Sequence, residues 1–133
     1  MPHISSKKLN QKILEELFDK LFSILSKGER KGLLSSVVNE LVTSTEKIMI
    51  AKRLAIILML TSNIPHERVA QVLQVSPTTV SKMSLKVEIG KYKSILKVSQ
   101  KEKVDIEKLI WNILTVGGIM PPKVGRRYWI TVP

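Results

Sequence analysis

The sequence predicts an all-α protein, a multi-helix bundle built around a helix-turn-helix. Three observations carry that expectation. Apolar residues recur at helical spacing from Leu9 to Leu114. Helix-start signals stand at Thr43 with Glu46 and at Ser76-Pro77. Breaks between periodic segments are marked at Pro65, Gly90 and Gly117-Gly118.

The elements follow in order. Residues 7–27 place Leu9, Ile13, Leu14, Leu17, Leu21, Phe22 and Leu25 on one face, with Lys12, Glu15, Glu16, Asp19 and Lys20 between them. Gly28 is read as the stop. A second helix spans 30–42 through Leu33, Leu34, Val37, Val38, Leu41 and Val42. Thr43 and Glu46 have capping-box spacing, so a third helix starts there and runs to about Leu60. Its run Leu54 to Leu60 is apolar on most sides, as in a central helix. Seven residues fall far short of the ~20 needed to span a bilayer. Thr61-Ser62-Asn63 is a turn, and Pro65 suits the first turn of the next helix. Ser76 and Pro77 then cap and open a helix from Thr78 to about Val87, which Gly90 ends. Residues 91–101 form a basic connector or short helix, and 102–115 a last helix with Val104, Ile106, Leu109, Ile110, Ile113 and Leu114 on its apolar face. The implied division is a DNA-binding domain over 1–101, a C-terminal helix over 102–117 and a basic, aromatic tail over 118–133.

Composition narrows the function. The chain has 133 residues, 22 Lys+Arg against 11 Asp+Glu, a net charge of +11 and no cysteine. That excludes disulfides, a thiolate nucleophile and a Cys-based zinc site. His3 and His66 cannot build a metal centre alone, and no cofactor is expected. A 44% hydrophobic share excludes a disordered basic tail and leaves a folded protein suited to a polyanionic partner. The excess charge is uneven: residues 76–101 carry six lysines and one acid, Glu88. No apolar segment follows the basic Lys7-Lys8, so no secretory signal is read, and the expected location is the cytoplasm, associated with the nucleoid.

Between His66 and Leu85 the pattern becomes specific. Val69, Ala70, Leu73, Val75, Val80 and Met83 form the apolar set that makes two short helices cross at a fixed angle. Ala70 is small at their closest approach. Gln74 stands at the turn position that often carries Gly. Thr78, Thr79, Ser81 and Lys82 are left facing outward, a set of hydroxyls plus a cation suited to base edges and phosphates in a major groove. Lys82 and Lys86 share one face. The candidate DNA-binding set is Arg68, Ser76, Pro77, Thr78, Thr79, Ser81, Lys82, Lys86, Lys91 and Lys93. A plain αα-hairpin is the bland alternative, and a solvated face is the bland reading of the lysines at 91, 93, 97 and 101.

Four collinear blocks resemble a known family: Leu41 to Lys47, Ala51 to Ile56, Val69 to Leu73 and Val75 to Lys82. They are similar to the Trp repressor superfamily. With Glu88-Ile89-Gly90-Lys91-Tyr92-Lys93, they look closest to its small bacterial Trp-repressor-like (YerC/YecD-type) branch. The resemblance covers roughly residues 10–97. It implies an all-helical, intertwined homodimer whose two reading heads sit ~34 Å apart on a pseudo-palindromic duplex. One copy also has too few helices around 7–42 to cover both its own apolar stripe and the 48–60 helix. The family's tryptophan site carries over only in part. Thr43 and Arg53 match ligand-contacting positions and mark a possible effector pocket. The stacking arginine is Lys82 here, its following glycine is Met83, and the serine that meets the ligand's amino group is Lys86. A lysine lacks the flat guanidinium face, and Lys86 repels an ammonium group. Tryptophan is therefore not the expected co-repressor, and any effector is unknown. Arg53 is instead expected to pair with a carboxylate such as Glu46 or with a backbone carbonyl.

The leading expectation is a sequence-specific transcriptional regulator, a repressor, bound to double-stranded DNA without membrane contact. The alternatives are a basic RNA- or ribosome-associated protein and a helical protein-interaction module. Nothing in the sequence supplies paired carboxylates, a phosphate loop or a nucleophile with its base, so no enzyme is expected. Trp111 is expected in the core, and His66 at the surface or at a cap. Arg126-Arg127-Tyr128-Trp129 either reaches DNA as an arm or folds back, with Trp129 packed on the last helix.

Overall fold

The computed structural model describes residues 8–116, which form seven α-helices and one 3₁₀ turn. No described helix is long and apolar enough to cross a membrane. The chain divides into two compact units at Ile50/Ala51.

The first unit holds α1 (Gln11–Arg30), α2 (Leu34–Leu41) and the start of α3 (Ser44–Thr61). Asn10 caps α1, its Oδ1 accepting the Lys12 N–H at 2.8 Å. The expected stop at Gly28 is corrected: α1 continues through it to Arg30. Gly28 is buried because α2 passes over it. A Cβ there would stand 3.4 Å from Val37 Cγ2 and 3.6 Å from Leu34 Cα. The stop belongs to Gly32, at φ +71°. Its N–H donates to Glu29 O and that of Leu33 to Gly28 O, closing the helix in a Schellman motif. Helix α2 therefore starts at Leu34 rather than at 30, and Leu33 at its N-cap supplies no side-chain bond. Leu14, Leu21 and Leu25 are half-buried. Leu9, Ile13, Leu17, Phe18, Phe22 and Ile24 stay exposed, Phe22 at 61%. Gly28 is the only buried residue among those described in this unit.

The capping box at the head of α3 forms as the spacing predicts. The Thr43 N–H donates to Glu46 Oε1 at 2.8 Å, and the Glu46 N–H donates to Thr43 Oγ1 at 3.1 Å.

The second unit contains the rest of α3, then α4 (His66–Leu73), α5 (Pro77–Glu88), α6 (Lys93–Ser99), a 3₁₀ turn (Gln100–Glu102) and α7 (Lys103–Val116). All buried apolar side chains among the described residues lie here. Ile56, Ile57, Met59, Ile64, Val69, Ala70, Val80, Met83, Ile110 and Leu114 make one cluster, with Leu73, Val75, Tyr92 and Trp111 packed half-buried against it. The expected all-round burial of α3 is thus confined to its last turns, because Leu54 remains exposed. Thr61 is the last helical residue rather than part of the turn. Asn63 sits at φ +63°, and the N–H groups of Asn63 and Ile64 donate to Leu60 O and Met59 O. Asn tolerates that left-handed conformation better than most residues. Pro65 occupies the cap position of α4 rather than its first turn.

Candidate nucleic-acid interface

The two helices of the reading head are held by the residues the sequence nominates. Val69 and Val80 are completely buried, and Ala70 and Met83 are each 7% exposed. Leu73 and Val75 complete the contact. The turn between α4 and α5 is set by Gln74, at φ 54° and ψ 53°. A non-glycine residue in that region carries a steric cost. It is held there by the chain on either side. Its own N–H and that of Val75 both donate to Ala70 O, the latter at 3.0 Å.

The start of α5 is fixed by Ser76 and Pro77. Ser76 Oγ accepts the Thr79 N–H at 3.1 Å and lies 2.8 Å from Thr79 Oγ1. Pro77 fills a first helical position where no N–H is needed. Ser76 is therefore occupied as a cap, and the Thr79 hydroxyl is shared with it. Thr78, Ser81 and Lys82 are exposed and make no side-chain hydrogen bond that the structure records. Lys86 is exposed one turn beyond Lys82. Val80 and Met83 point into the core, so the helical period turns Ser81, Lys82 and Lys86 away from it.

The same exposed face carries two residues that the sequence reading did not assign. Leu85 is 62% exposed and Ile89 69%. Leu85 follows Ser81 by four positions and lies off the Val80–Met83 line, which is the spacing that identifies it. An apolar side chain beside hydroxyls and lysines can contact a thymine methyl in a major groove.

Gly90 ends α5 at φ +78°, with its N–H on Val87 O and the Lys91 N–H on Lys86 O. Lys91 and Lys93 are exposed. The Lys93 stem crosses over Gly90, where a Cβ would stand 2.7 Å from Lys93 Cε. Arg68 is half-buried on α4, and His66 is exposed at its first turn. Thus Thr78, Ser81, Lys82 and Lys86 share the exposed side of one helix, Lys91 and Lys93 follow its end, and Ser76 and Pro77 build its start.

The two candidate effector residues have separate settings. Thr43 is engaged in the α3 cap, and Arg53 is exposed. The Glu46 carboxylate, the partner expected for Arg53, already accepts the Thr43 N–H. That backbone bond, with a smaller contribution from the Thr43 hydroxyl, holds the Glu46 carboxyl below the usual carboxylate range. Among the described residues no group of His, Asp and Glu is placed to hold a metal ion. Trp129, Arg126, Arg127 and Tyr128 lie outside the described residues.

No curated protein and no solved structure matches the chain. The family model described as Trp repressor protein matches residues 14–100, a span that includes α4, α5 and the turn between them. With about two thirds of its length inside that match, the chain belongs to the Trp repressor family of DNA-binding regulators.

Proposed function

We propose that the protein is a sequence-specific transcriptional repressor that reads a pseudo-palindromic operator as a homodimer. The observation that carries this reading is the outer face of α5. It offers Thr78, Ser81 and Lys82 on a helix whose opposite side is locked into the core by Val80 and Met83. Rigid presentation matters, because base contacts demand a fixed register. Lys82 suits guanine O6 and N7, and Leu85 suits a thymine methyl. Arg68, Lys86, Lys91 and Lys93 supply phosphate contacts, and Ser76, Pro77 and Thr79 hold the start of the helix at the backbone. Residues 1–101 act as the DNA-binding domain.

The second copy is called for by α1. Its exposed apolar residues from Ile13 to Ile24 need a cover, and two chains raise the charge to about +22, which favours attraction to duplex DNA. Tryptophan is not the co-repressor, since Lys82 and Lys86 replace the stacking and amine-accepting residues. Action in the cytoplasm on nucleoid DNA, and placement in the YerC/YecD-type branch, belong to the same proposal. Selection of bound duplexes from a random pool at two salt concentrations tests it. The expected result is a palindromic consensus with half-sites one helical turn apart. No enrichment at either salt, or displacement of the duplex by structured RNA, would overturn it.

A further inference from the structure

The reading head is a pair of short helices, eight residues in α4 and twelve in α5. Helices this short take their orientation from what they pack against rather than from their own hydrogen bonds. Short connectors join the pair to its neighbours, residues 62–65 on the α3 side and 89–92 on the α6 side. Such links limit how far the pair can travel. They do not by themselves fix the angle at which it meets DNA. Among the described elements outside the pair, α7 packs most closely on α4. Ile110 and Leu114 of α7 are each 1% exposed, and they share one cluster with Val69 and Ala70 of α4 and Val80 and Met83 of α5. Ile106, Ile110 and Leu114 follow at four-residue steps, so they lie on one face. Leu114 stands two residues from the end of α7, where a helix ordinarily frays. Its burial there means that packing holds the last turn. Helix α7 also begins at Lys103, past residue 100, where the family match ends. What it does is therefore not carried over with family membership.

We propose that α7 is a brace for the reading head, with Ile110 and Leu114 as its positioning residues. Both are buried and touch no DNA. They act by fixing α4 and, through it, the angle of α5. A close-packed contact of this kind has little slack, and a cavity in it lets the helix shift. Base contacts on α5 suffer first from a shift, whereas long lysines still reach phosphates. A head braced by its own chain needs no bound small molecule to hold it in register, so operator binding is independent of any effector. The inference rests on the reading of α5 as the DNA-contacting helix.

Two measurements on the full chain test it. The first uses no DNA: amide hydrogen exchange is followed by NMR in wild type, Leu114→Ala and Leu114→Met. Leu114→Ala is expected to speed exchange at Val72 and Leu73 of α4 about tenfold more than at Ile57 to Met59 of α3. Leu114→Met refills the volume and should restore it. Equal acceleration in α3 and α4 would mean a general loss of stability and would overturn the brace. In the second, protein freed of small molecules by unfolding and refolding is titrated with the duplex that wild type selects from a random pool and with a scrambled one. Refolded wild type should keep its preference. Leu114→Ala should lose about tenfold in preference, with affinity for the scrambled duplex changed less than about twofold. The milder Ile110→Val, which removes one methylene, should move both readouts in the same direction. Undiminished preference in Leu114→Ala, or a wild type that regains preference only when a small-molecule cell extract is added, contradicts the proposal. A wild type that selects no duplex removes the operator reading instead, and the exchange rates then decide the brace by themselves.

Discussion

The two units spend their apolar residues in opposite ways. The second unit closes a core of ten side chains around Met59, Val69 and Val80. The first unit has comparable apolar content on α1 and α2, yet the only residue it buries among those described is a glycine. The second unit therefore has the means to hold its reading head rigid within one chain. The first has secondary structure, caps and a Schellman closure, but not the burial that keeps helices folded in water. On the proposed function the tasks divide the same way: the second unit presents α5 to DNA, and the first offers its apolar face to a second copy.

The strongest way to break that contrast is to charge the α1 stripe. Phe22→Asp is expected to weaken self-association by at least 100-fold, measured by analytical ultracentrifugation over a dilution series. Unchanged association would show that the stripe is not the cover. In the second unit, Met59→Ala should cost about 2–5 kcal/mol in denaturant unfolding, since a fully buried side chain leaves a cavity. If Phe22→Asp and Met59→Ala lowered stability equally in the dissociated chain, the two units would not differ as described.

A smaller effect belongs to the α3 cap. Thr43→Ala should cost about 0.5–2 kcal/mol. The Glu46 carboxyl is lowered in the folded chain, so its contribution is present above the unfolded carboxylate range. It is lost as pH falls through the lowered folded value. Thr43→Ala should flatten this acid-side slope in a pH series of unfolding curves, and an unaltered slope would separate the cap from the titration. The smallest change expected is at Gln74. Gln74→Gly relieves the left-handed backbone at φ 54° and should stabilise by up to about 1 kcal/mol. A loss of stability would mean that the Gln74 side chain contributes more than its backbone costs.

The reading head was the most legible part of the sequence because its determinants are local. A cap, a proline and six apolar positions over some twenty residues specify both helices and their crossing. The Thr43–Glu46 box was legible for the same reason. The sequence does not separate Gly28 from Gly32 as the α1 stop because glycine has two uses. Gly28 permits a close approach by α2, and Gly32 takes the left-handed turn. Only the contact with Val37, nine residues along the chain, separates them. The start of α2 was blurred because Leu33 offers no polar cap. Leu85 and Ile89 are not legible as surface residues, because an exposed leucine looks like a buried one in composition. Only helical phase relative to Val80 and Met83 tells them apart. Periodicity likewise marks the α1 face as apolar without saying that its own unit leaves it open.

The central claim is that α5 reads DNA through Lys82 and its neighbours. It is tested most directly by titrating wild type and Lys82→Ala against the selected duplex and a scrambled one across a salt series. The account predicts that Lys82→Ala loses about 1–3 kcal/mol on the selected duplex and much less on the scrambled one, with preference relaxed at a single base pair. Equal affinity and unchanged preference on both duplexes would contradict it.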